Sequence, residues 1–479
     1  MRIALVFPKY THKDFSENLK IVNEEFCFAP PIILAYVAAI LEQNGHKVII
    51  LDARALNLSN KELLLKLKTF KPDLLGFRAE SYHFHDALEC ITYLKHGLSI
   101  PVFAGGPNLS YYLEDTMSYR QIDYGIIGEA VTSLPKLVAA LENNGRISGI
   151  EGIAYRENGQ LKVSVAIPEP LDFNAFPFPA RHLLPNEKYY SFPSQRRNFT
   201  IMVTTKGCPY KCSFCAINCL PYSERSADRV VEEIEECVRR YRVREIDIFD
   251  ATFFYNRKRD MEIFSQIIKR RIPVEWSCRT RVDLVDGELL DMAYRAGCRR
   301  IYYGIESASL EVLKTINKGI TPLKIKEAIA LTRKHKIRTL GFFMFGAPGE
   351  TIETIEKTIE FSRELKLDFI QICKTIAKPG SKLDILLKTE TGRDYWSEYI
   401  SGKSGRNCPP FPMPWTDLSN EELIGYLKKG YIRFYFRPSQ ILRIIFRIKS
   451  IDELFRYIAV SLKMVMFLCK WRIKNETPR

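Results

Sequence analysis

The chain has 479 residues, of which 46% are hydrophobic and 27% charged. This length indicates two or three domains, and the composition excludes a disordered, collagen-like or low-complexity protein. Twelve cysteines in so long a chain do not form a disulfide scaffold, and three of them fall within eight residues, which favours metal or redox chemistry in a reducing compartment. The opening run, 1–8, is too short for a signal peptide, and no window offers the ~20 uninterrupted apolar residues of a spanning helix.

The net charge of +15 is concentrated at the C-terminus. Residues 426–479 contain thirteen Lys and Arg but three Asp and Glu, a net charge of +10. Any interaction with an anionic partner is therefore expected in this segment. No recognised nucleic-acid-binding module accompanies the charge, and we do not expect a nucleic-acid partner.

Residues 1–145 alternate short apolar runs with helical patterns, which predicts a doubly wound parallel sheet. Ligands of such sheets bind at the carboxyl ends of the strands, where this sequence places several glycines. The pattern indicates a nucleotide-like cofactor at that edge. The predicted strands are 3–7, 48–52, 74–77, 102–104 and 124–127, and the predicted helices are 32–43, 61–69, 85–96 and 131–142.

Residues 146–197 lose this alternation and are predicted to be a linker. Two short strand-like runs, 152–155 and 161–166, flank Glu157-Asn158-Gly159, which is typical of a β-hairpin. Six prolines between Pro168 and Pro193 then exclude a long helix.

A second alternation occupies residues 198–385 and predicts a partial barrel of six β/α units, with chemistry at the carboxyl ends of its strands. The predicted strands are 199–204, 245–249, 274–277, 300–303, 339–345 and 369–373, and the predicted helices are 227–241, 261–270, 287–296, 310–316, 322–335 and 352–365.

Three cysteines, Cys208, Cys212 and Cys215, follow the first strand of this second alternation with the spacing Cys-x3-Cys-x2-Cys. Three thiolates on one loop can bind three irons of a [4Fe–4S] cluster and leave the fourth iron open for a substrate. The alternative is a zinc knuckle with Cys219 as the fourth ligand, although structural zinc sites more commonly use CxxC pairs.

The cysteine loop resembles the signature of the radical S-adenosylmethionine (SAM) superfamily, and the rest of the chain resembles its subfamily with an N-terminal cobalamin-binding domain. This resemblance covers about residues 1–385. It implies a Rossmann-like cobalamin-binding domain at 1–145, a radical SAM core at 198–385 and a helical C-terminal region at 386–479, within an α/β fold class. The further matching motifs are Pro30–Tyr36, Gly45–Val48, Gly105–Pro107, Gly128-Glu129, Arg225-Ser226, Gly304–Ser307 and Gly346–Glu350.

The resemblance implies that SAM binds the open iron and is contacted by polar residues at the strand ends. An arginine there can pair with the SAM carboxylate through two hydrogen bonds. Two alternatives remain: Glu306 could pair with Arg279 at the barrel rim, and 346–350 could simply be a helix start. The implied SAM contacts are Asp250, Thr252, Arg279 or Arg281, Glu306, Gly346 and Gly349.

In the first domain the resemblance implies a cobalamin site without a histidine below the cobalt, since no Asp-x-His-x-x-Gly motif is present. The chain departs from the family pattern at Ile33, Asn108 and Ala130, so a vestigial domain is the alternative. His83 and His85 lie near the same edge but are not expected to be ligands. The implied cobalamin contacts are Tyr36, Ser81, Gly105, Gly106, Asn108, Gly128 and Glu129.

The C-terminal region shows two features of its own. Residues 407–415 are rich in proline and aromatic residues and could form a cap over the barrel mouth. From 431 to 471, basic and apolar residues alternate, and 457–469 is nearly apolar. This segment could lie in a membrane interface or receive a lipid-like substrate. Alternatively, it is a helical pair packed on the domain with a basic, solvated face.

The sequence therefore predicts a cobalamin-dependent radical SAM enzyme. The leading function is C-methylation of an unactivated carbon through a deoxyadenosyl radical and methylcobalamin, with cyclisation, oxidation or carbon–carbon coupling on a lipid-like or tetrapyrrole substrate as the alternative. A non-catalytic iron–sulfur or zinc protein is a second alternative. The expected partners are a flavodoxin- or ferredoxin-type one-electron donor and a small or lipid-like substrate. The expected location is cytoplasmic, with possible peripheral membrane contact.

Overall fold

The computed structural model describes residues 1–10, 27–165, 172–217, 220–406, 411–446, 448, 451, 453–459, 461 and 462. These residues form two compact units. The first contains 1–10, 30–165, 172–189 and 394–406, and the second contains 27–29, 190–217, 220–393 and the described residues from 411 onward.

The described strands fall into two large sheets and two short two-stranded ladders. In chain order they are β1 (Arg2–Phe7), β2 (Cys27–Phe28), β3 (Lys47–Asp52), β4 (Leu74–Arg78), β5 (Val102–Gly105), β6 (Tyr124–Ile126), β7 (Ile153–Glu157), β8 (Gln160–Ser164), β9 (Tyr190–Ser191), β10 (Phe199–Met202), β11 (Thr205–Lys206), β12 (Ser223–Glu224), β13 (Glu245–Ile248), β14 (Glu275–Thr280), β15 (Cys298–Glu306), β16 (Arg338–Phe345) and β17 (Phe369–Lys374).

Most helices connect consecutive parallel strands. In chain order the described helices are α1 (Ile32–Gln43), α2 (Asn60–Phe70), α3 (Phe84–Gly97), α4 (Pro107–Tyr111), α5 (Leu113–Met117), α6 (Ala130–Glu142), α7 (Ala227–Tyr241), α8 (Arg257–Lys269), α9 (Gly287–Arg295), α10 (Leu310–Thr315), α11 (Pro322–Lys334), α12 (Ile352–Glu364), α13 (Lys382–Thr391), α14 (Tyr395–Ile400), α15 (Asn420–Tyr435) and α16 (Pro438–Ile445).

The first sheet has the order β3-β1-β4-β5-β6-β7-β8, and its first five strands are parallel. Helices cover both faces of a parallel sheet, so its strands are apolar throughout rather than alternating. Residues 3–7 of β1 are accordingly buried without interruption. The predicted doubly wound sheet is confirmed, and each of its five strands lies within one or two residues of the prediction.

The predicted hairpin is present as the antiparallel pair β7–β8, with Asn158 and Gly159 at its turn. Asn158 and Gly159 have φ values of +51° and +79°, the left-handed backbone that a two-residue hairpin turn of this kind requires. Because β7 also pairs with β6, the hairpin extends the first sheet. The 146–164 stretch of the predicted linker is therefore part of the first unit.

The second sheet has the order β10-β13-β14-β15-β16-β17, and all its strands are parallel. Sequential order with an intervening helix in each connection is the arrangement of a partial (β/α) barrel, as predicted. A single hydrophobic core fills the space between this sheet and its helices. The carboxyl ends of six strands therefore meet at one edge.

The chain returns to the first unit after the second sheet. Helix α14 buries Trp396 completely, and Trp396 makes an edge contact with Tyr82 at 5.0 Å. The Tyr399 carbonyl lies 2.7 Å from His85 Nε2, and Tyr119 donates a hydrogen bond to the Ile400 carbonyl at 2.9 Å. These contacts occupy His85 within the protein, which agrees with the expectation that it is not a cofactor ligand.

Replacement of Trp396 by alanine tests this packing. We expect Trp396→Ala to destabilise the first unit by about 3–5 kcal/mol, because a fully buried indole leaves a large cavity. Pulse proteolysis across a urea series, with the fragments identified by mass spectrometry, measures the effect. The matched control is Tyr395→Ala, one position away and only partly buried. Equal stability of the two variants would contradict a packing role for α14.

Candidate functional site

The three cysteines lie on a loop that is closed at its base. The short strands β11 and β12 pair antiparallel and bring residues 205–206 next to 223–224. Gly207 begins the loop with φ +70°, and a Cβ atom there would lie 2.4 Å from the Pro221 carbonyl oxygen. This close approach of the two ends of the loop requires glycine at position 207.

The thiols share one neighbourhood but do not converge on a point. Cys208 Sγ lies 3.4 Å from Thr252 Oγ1. Burial raises the pKa of the Cys212 thiol, while the positive charges of Lys318 and Arg281 act in the opposite direction. Among the described residues, no three His, Cys, Asp or Glu side chains are close enough to hold a single metal ion. In a [4Fe–4S] cluster each thiolate binds its own iron, so the thiols need not converge. Cys219, the fourth ligand of the zinc alternative, lies outside the described residues.

The segment after α10 fixes the middle of the loop. The Ser213 N–H donates to the Ile316 carbonyl at 3.0 Å, and Asn317 Nδ2 donates to the Lys211 carbonyl at 2.7 Å. Lys318 Nζ lies 5.8 Å from the centre of the Phe214 ring. The Ser213 hydroxyl is buried without a hydrogen-bond partner.

Asp250 supports the start of the loop. Its Oδ1 accepts hydrogen bonds from the Thr204 and Thr205 N–H groups at 2.6 and 3.1 Å, and its Oδ2 accepts one from the Thr204 hydroxyl at 2.5 Å. Burial raises the pKa of Asp250, and Arg259 together with these hydrogen bonds counteracts the rise. Both carboxylate oxygens are thus used within the protein. The SAM contact expected of Asp250 stays a prediction, and the observed contacts position the loop.

Glu306 ends β15 in a strained conformation. Its φ is +66°, and the pairing of β15 with β16 shifts register between Gly304 and Glu306. A non-glycine residue in this region of φ is uncommon and clusters at functional sites. Lys318 Nζ pairs with Glu306 Oε1 at 2.8 Å. The alternative in which Glu306 pairs with Arg279 is therefore wrong.

The two candidate arginines make different contacts. Arg279 lies in β14, and Arg281 follows the end of this strand. Arg279 donates two hydrogen bonds to Asp247, at 3.0 and 3.1 Å. Arg281 pairs with Asp283 through Nε and Nη2 and lies 3.8 Å over the Tyr210 ring of the cysteine loop. Its Nη1 is buried and has no hydrogen-bond partner. A buried guanidinium nitrogen without a partner, close to the Cys212 thiol, fits a carboxylate ligand. Arg279 offers no such nitrogen.

The glycine turn after β16 is not simply a helix start. Helix α12 begins at Ile352, and its N-cap is Thr351. Glu350 instead accepts hydrogen bonds from the N–H groups of Gly346 and Ala347 at 2.5 and 3.2 Å. Gly346 and Gly349 both have positive φ values, +84° and +75°. The turn is thus closed by its own glutamate.

The proline- and aromatic-rich segment contacts this turn. Trp415 Nε1 donates to the Gly346 carbonyl at 2.9 Å, and the Thr416 hydroxyl donates to the Glu350 carbonyl at 3.3 Å. A Cβ at position 346 would lie 2.9 Å from Leu423 and 3.2 Å from Met413 Sδ. The described part of the predicted cap, 411–415, therefore lies at the carboxyl end of the second sheet, whereas 407–410 lies outside the described residues.

The predicted cobalamin edge brings together the ends of β4 and β5. The Ser81 hydroxyl donates to Asn108 Oδ1 at 2.7 Å. Asn108 is fully buried, and its Nδ2 has no hydrogen-bond partner. Gly105 ends β5, and Gly106 follows with φ +121°, where a Cβ would lie 2.8 Å from the Ala79 carbonyl oxygen. An unpartnered amide nitrogen beside backbone without side chains fits a ligand rich in amide groups.

The remaining predicted cobalamin residues lie at separate places in the first unit. Gly128 has φ +74°, and a Cβ added there would meet no atom within 4 Å, while Glu129 is the N-cap of α6. Tyr36 is buried on α1 and faces Phe173 at 6.5 Å. His83 stacks on Tyr10 at 3.7 Å. The contacts of Gly128, Glu129 and Tyr36 to cobalamin stay predictions.

Sequence reasoning missed Lys318 and Tyr210 as members of the site, and it placed Trp415 in the predicted cap without identifying its partner. Lys318 follows a turn and belongs to no recognised motif. Its ion pair with Glu306 depends on the backbone conformation of Glu306, which the sequence does not reveal. Tyr210 is part of the cysteine loop in the sequence, but its contact with Arg281 could not be predicted from the sequence. Trp415 lies 69 residues from its partner Gly346.

Two family models match the chain. The Radical SAM superfamily model matches residues 202–362, and the B12 binding domain model matches residues 27–138. The chain belongs to the radical SAM superfamily, in the group that carries a B12-binding domain. It is therefore a radical SAM enzyme that uses a [4Fe–4S] cluster, SAM and cobalamin.

Several relatives share this architecture. An uncharacterized methyltransferase of Pyrococcus horikoshii, PH0819, is 31% identical over 87% of this chain and 90% of its own. An anaerobic magnesium-protoporphyrin IX monomethyl ester cyclase of Rubrivivax gelatinosus is 30% identical over 77% of this chain and 66% of its own. The fold is similar to that of the radical SAM methyltransferase TsrM from Kitasatospora setae, solved with cobalamin and a [4Fe–4S] cluster, with a TM-score of 0.66 at 20% identity over 81% of this chain and 78% of the other.

Exchange of the two arginines for lysine tests which one serves SAM. We expect Arg281→Lys to weaken SAM binding by about tenfold, because a lysine cannot reproduce the paired contacts of a guanidinium. Arg279→Lys is the matched control, and it should lower stability by about 2 kcal/mol through loss of the Asp247 pair while leaving SAM affinity within a few-fold. Equilibrium binding of SAM to the cluster-loaded protein measures both. Unchanged affinity in Arg281→Lys would contradict the assignment.

Glu350 makes the stability of this turn depend on pH. Burial raises the pKa of Glu350 from 4.5 to about 7, and the two N–H contacts only partly offset the rise. The folded state then holds a proton that the unfolded state has lost, so its contribution to stability falls as pH rises through 4.5 to 7 and levels off above. We expect wild type to lose about 2 kcal/mol more than Glu350→Gln between pH 5 and pH 8. Urea unfolding followed by tryptophan fluorescence measures this. A parallel loss in both proteins would contradict the raised pKa.

Proposed function

We propose that this protein is a C-methyltransferase that modifies an unactivated carbon of an apolar substrate. The observation that supports this most directly is the buried, unpartnered Arg281 nitrogen at the cysteine loop, where the charge of Arg281 acts on the Cys212 thiol, in a chain that also carries a B12-binding domain. A cluster-bound SAM and a cobalamin are the two cofactors that such a methylation requires.

The residues divide between the cofactors as follows. Cys208, Cys212 and Cys215 would hold the cluster, and Arg281 would orient SAM, while Ser81 and Asn108 would contact cobalamin. When bound, these cofactors supply a deoxyadenosyl radical for hydrogen abstraction and a methyl group for transfer. The protein's own task is to fix the positions of the reacting groups and to keep water from the radical.

The inner side of the second sheet is suited to an apolar substrate. Arg279 lies between Phe249 and Tyr302, 3.6 and 4.8 Å from the two ring centres. Tyr302 in turn stacks on Phe342 at 6.0 Å. The Phe249 ring remains 38% exposed. Tyr302 is buried, so the partly exposed Phe249 side chain would offer the apolar contact for a lipid-like or tetrapyrrole molecule.

A radical cyclase is the second candidate, because a cyclase is among the relatives at about 30% identity. It would use the same three cysteines and the same apolar contact at Phe249. The two reactions differ in their consumption of SAM, since methyl transfer requires a second molecule as the methyl source.

An external one-electron donor is required by enzymes of this superfamily, and we propose that a flavodoxin- or ferredoxin-type protein supplies it. We further propose that the protein works at the cytoplasmic surface of a membrane, where a lipid-like substrate is available. Among the described residues, no helix has both the length and the apolar character to cross a bilayer.

The SAM products distinguish the candidates. We expect anaerobically reconstituted protein, supplied with hydroxocobalamin, SAM and reductant, to form both 5′-deoxyadenosine and S-adenosylhomocysteine, quantified by mass spectrometry. Formation of deoxyadenosine alone would refute the methyltransferase and favour the cyclase.

Two variants control this assay. Cys212→Ala should abolish both products, because the cluster loses one of its three ligands. Cys237→Ala removes a buried thiol on α7 and should retain both products. If neither product exceeds the Cys212→Ala background with several reductants, the assignment as an enzyme fails.

A further inference from the structure

A basic cavity of about 640 Å³ opens at the amino ends of the second sheet, opposite the end that carries the cysteines. Its walls come from the starts of β13, β14 and β15 and from the ends of α8 and α9. Five arginines and one glutamate contribute to the lining, together with apolar residues. The charged lining residues are Arg196, Arg244, Arg271, Glu275, Arg295 and Arg299.

Only part of this positive charge is neutralised. Glu275 pairs with Arg196 at 2.8 Å and lies 4.0 Å from Arg299. Within the part of the chain that the structure describes, the side chains of Arg244 and Arg271 show neither an ion pair nor a hydrogen bond. Arginines near the ends of α8 and α9 complement the helix dipoles, but that role requires neither a cavity nor the two unpaired guanidinium groups.

Helix α16 and the helical residues 453–459 cover the starts of β16 and β17, and Arg456 donates to the Ser194 carbonyl at 2.7 Å, two residues before Arg196 of the cavity. Gln440 is fully buried and donates to the Asp368 carbonyl at 2.8 Å, just before β17. Glu453, also buried, pairs with Arg338 at 3.0 Å at the start of β16. Tyr457 packs against Phe369. The polar contacts of these helices are therefore directed inward.

The helices pack on the domain, as one alternative expected, and several apolar residues on their outer side are exposed. Phe446 is 81% exposed, Ile451 73% and Phe455 66%. Within each helical segment the exposed apolar positions follow helical spacing, and together we call them the apolar stripe. Its members are Ile441, Leu442, Ile445, Phe446, Ile451, Leu454, Phe455, Ile458 and Leu462.

We propose that the amino end of the second sheet docks on a membrane of anionic phospholipid, with the apolar stripe in the acyl boundary and a lipid phosphate in the arginine cavity. Helices with one apolar face lie in the interface plane, and anionic headgroups attract basic residues beside them. A guanidinium binds phosphate through paired hydrogen bonds. The inference deepens the proposed membrane location, and it does not depend on which reaction the enzyme catalyses.

The arrangement leaves the catalytic edge free. The cysteines, Arg281 and Glu306 lie at the carboxyl ends of the strands, whereas the stripe and the cavity lie at the amino ends. Docking would therefore hold the enzyme at the source of a lipid-like substrate without covering the cofactors of the second unit.

Vesicle flotation of the full chain tests the proposal. We expect the protein to bind vesicles of equal parts phosphatidylglycerol and phosphatidylcholine, and to bind pure phosphatidylcholine at least tenfold more weakly. The double variant Arg244→Glu with Arg271→Glu should lose at least tenfold in binding to the anionic vesicles. Phe446→Ser with Phe455→Ser should lose as much, because both rings are predicted to enter the bilayer.

Matched controls separate the site from net charge and surface hydrophobicity. Arg239→Glu with Arg240→Glu changes the charge equally on exposed arginines of α7, and Leu323→Ser with Ile385→Ser removes exposed apolar residues elsewhere. Both controls should bind anionic vesicles within twofold of wild type. Equal losses in the controls and the site variants would overturn the proposed site.

Other occupants of the surface give different outcomes. If wild type fails to float with anionic vesicles and light scattering shows a dimer that Phe446→Ser with Phe455→Ser converts to a monomer, the stripe is an interface between copies, and the proposal is overturned. If millimolar inorganic phosphate abolishes vesicle binding at constant ionic strength, the cavity selects free phosphate over a headgroup, and the lipid assignment fails. Because vesicle binding is measured without SAM or reductant, its failure is distinct from failure of the methyltransferase assay.

Discussion

The site in the second unit depends on one buried carboxylate. Asp250 accepts three hydrogen bonds from Thr204 and Thr205, the two residues that link β10 to the cysteine loop. Arg259 adds a hydrogen bond from its Nη2 to the Thr204 hydroxyl at 2.7 Å, so the network has a counter-charge. A carboxyl group this deeply buried is tolerated only with such hydrogen-bond and charge partners. The loop is thereby fixed to the sheet before any cofactor binds, which is the preorganisation that cluster ligation requires.

Beyond the loop, the charged side chains of the site are paired with one another, except for one nitrogen of Arg281. Arg279 is matched by Asp247, and Lys318 by Glu306, so neither cation is available without a rearrangement. Arg281 is matched on only two of its three nitrogens. Because buried polar atoms are nearly always satisfied, this nitrogen marks where a ligand is expected. The strained backbone of Glu306 beside it is consistent with the same site, since strain persists where the surroundings and function maintain it.

The periodicity of the chain was sufficient to predict both sheets and the cysteine loop. Runs such as 3–7 and most of 339–345 are apolar because both faces of a parallel sheet are covered, and this signal is local. The pairing of charged side chains could not be predicted in this way, because it depends on the folded backbone rather than on neighbouring residues. Glu306 and Arg279 were candidates for each other by strand position, but the register shift near Gly304 turned Glu306 toward Lys318. The buried face of α14 could not be predicted either, because nothing in 394–406 indicates that it packs on Tyr82, His85 and Tyr119, about 300 residues earlier in the chain.

The second sheet has two ends with different chemistry. Its carboxyl ends carry glycines with positive φ, thiols and an unpartnered guanidinium nitrogen, the features of a site that binds small, reactive groups. Its amino ends carry paired, buried anchors such as Glu453 and Gln440, above which the exposed surface of the helices is apolar, while arginines line the cavity. These anchors explain how the helices keep an apolar side exposed. Their inward hydrogen bonds and ion pairs hold the helices on the sheet while the apolar side chains stay on the surface. A surface that only faces water does not need this arrangement, and repeated apolar exposure of this kind marks an interaction site. The cofactor residues and the proposed docking surface thus lie at opposite ends of the same parallel strands.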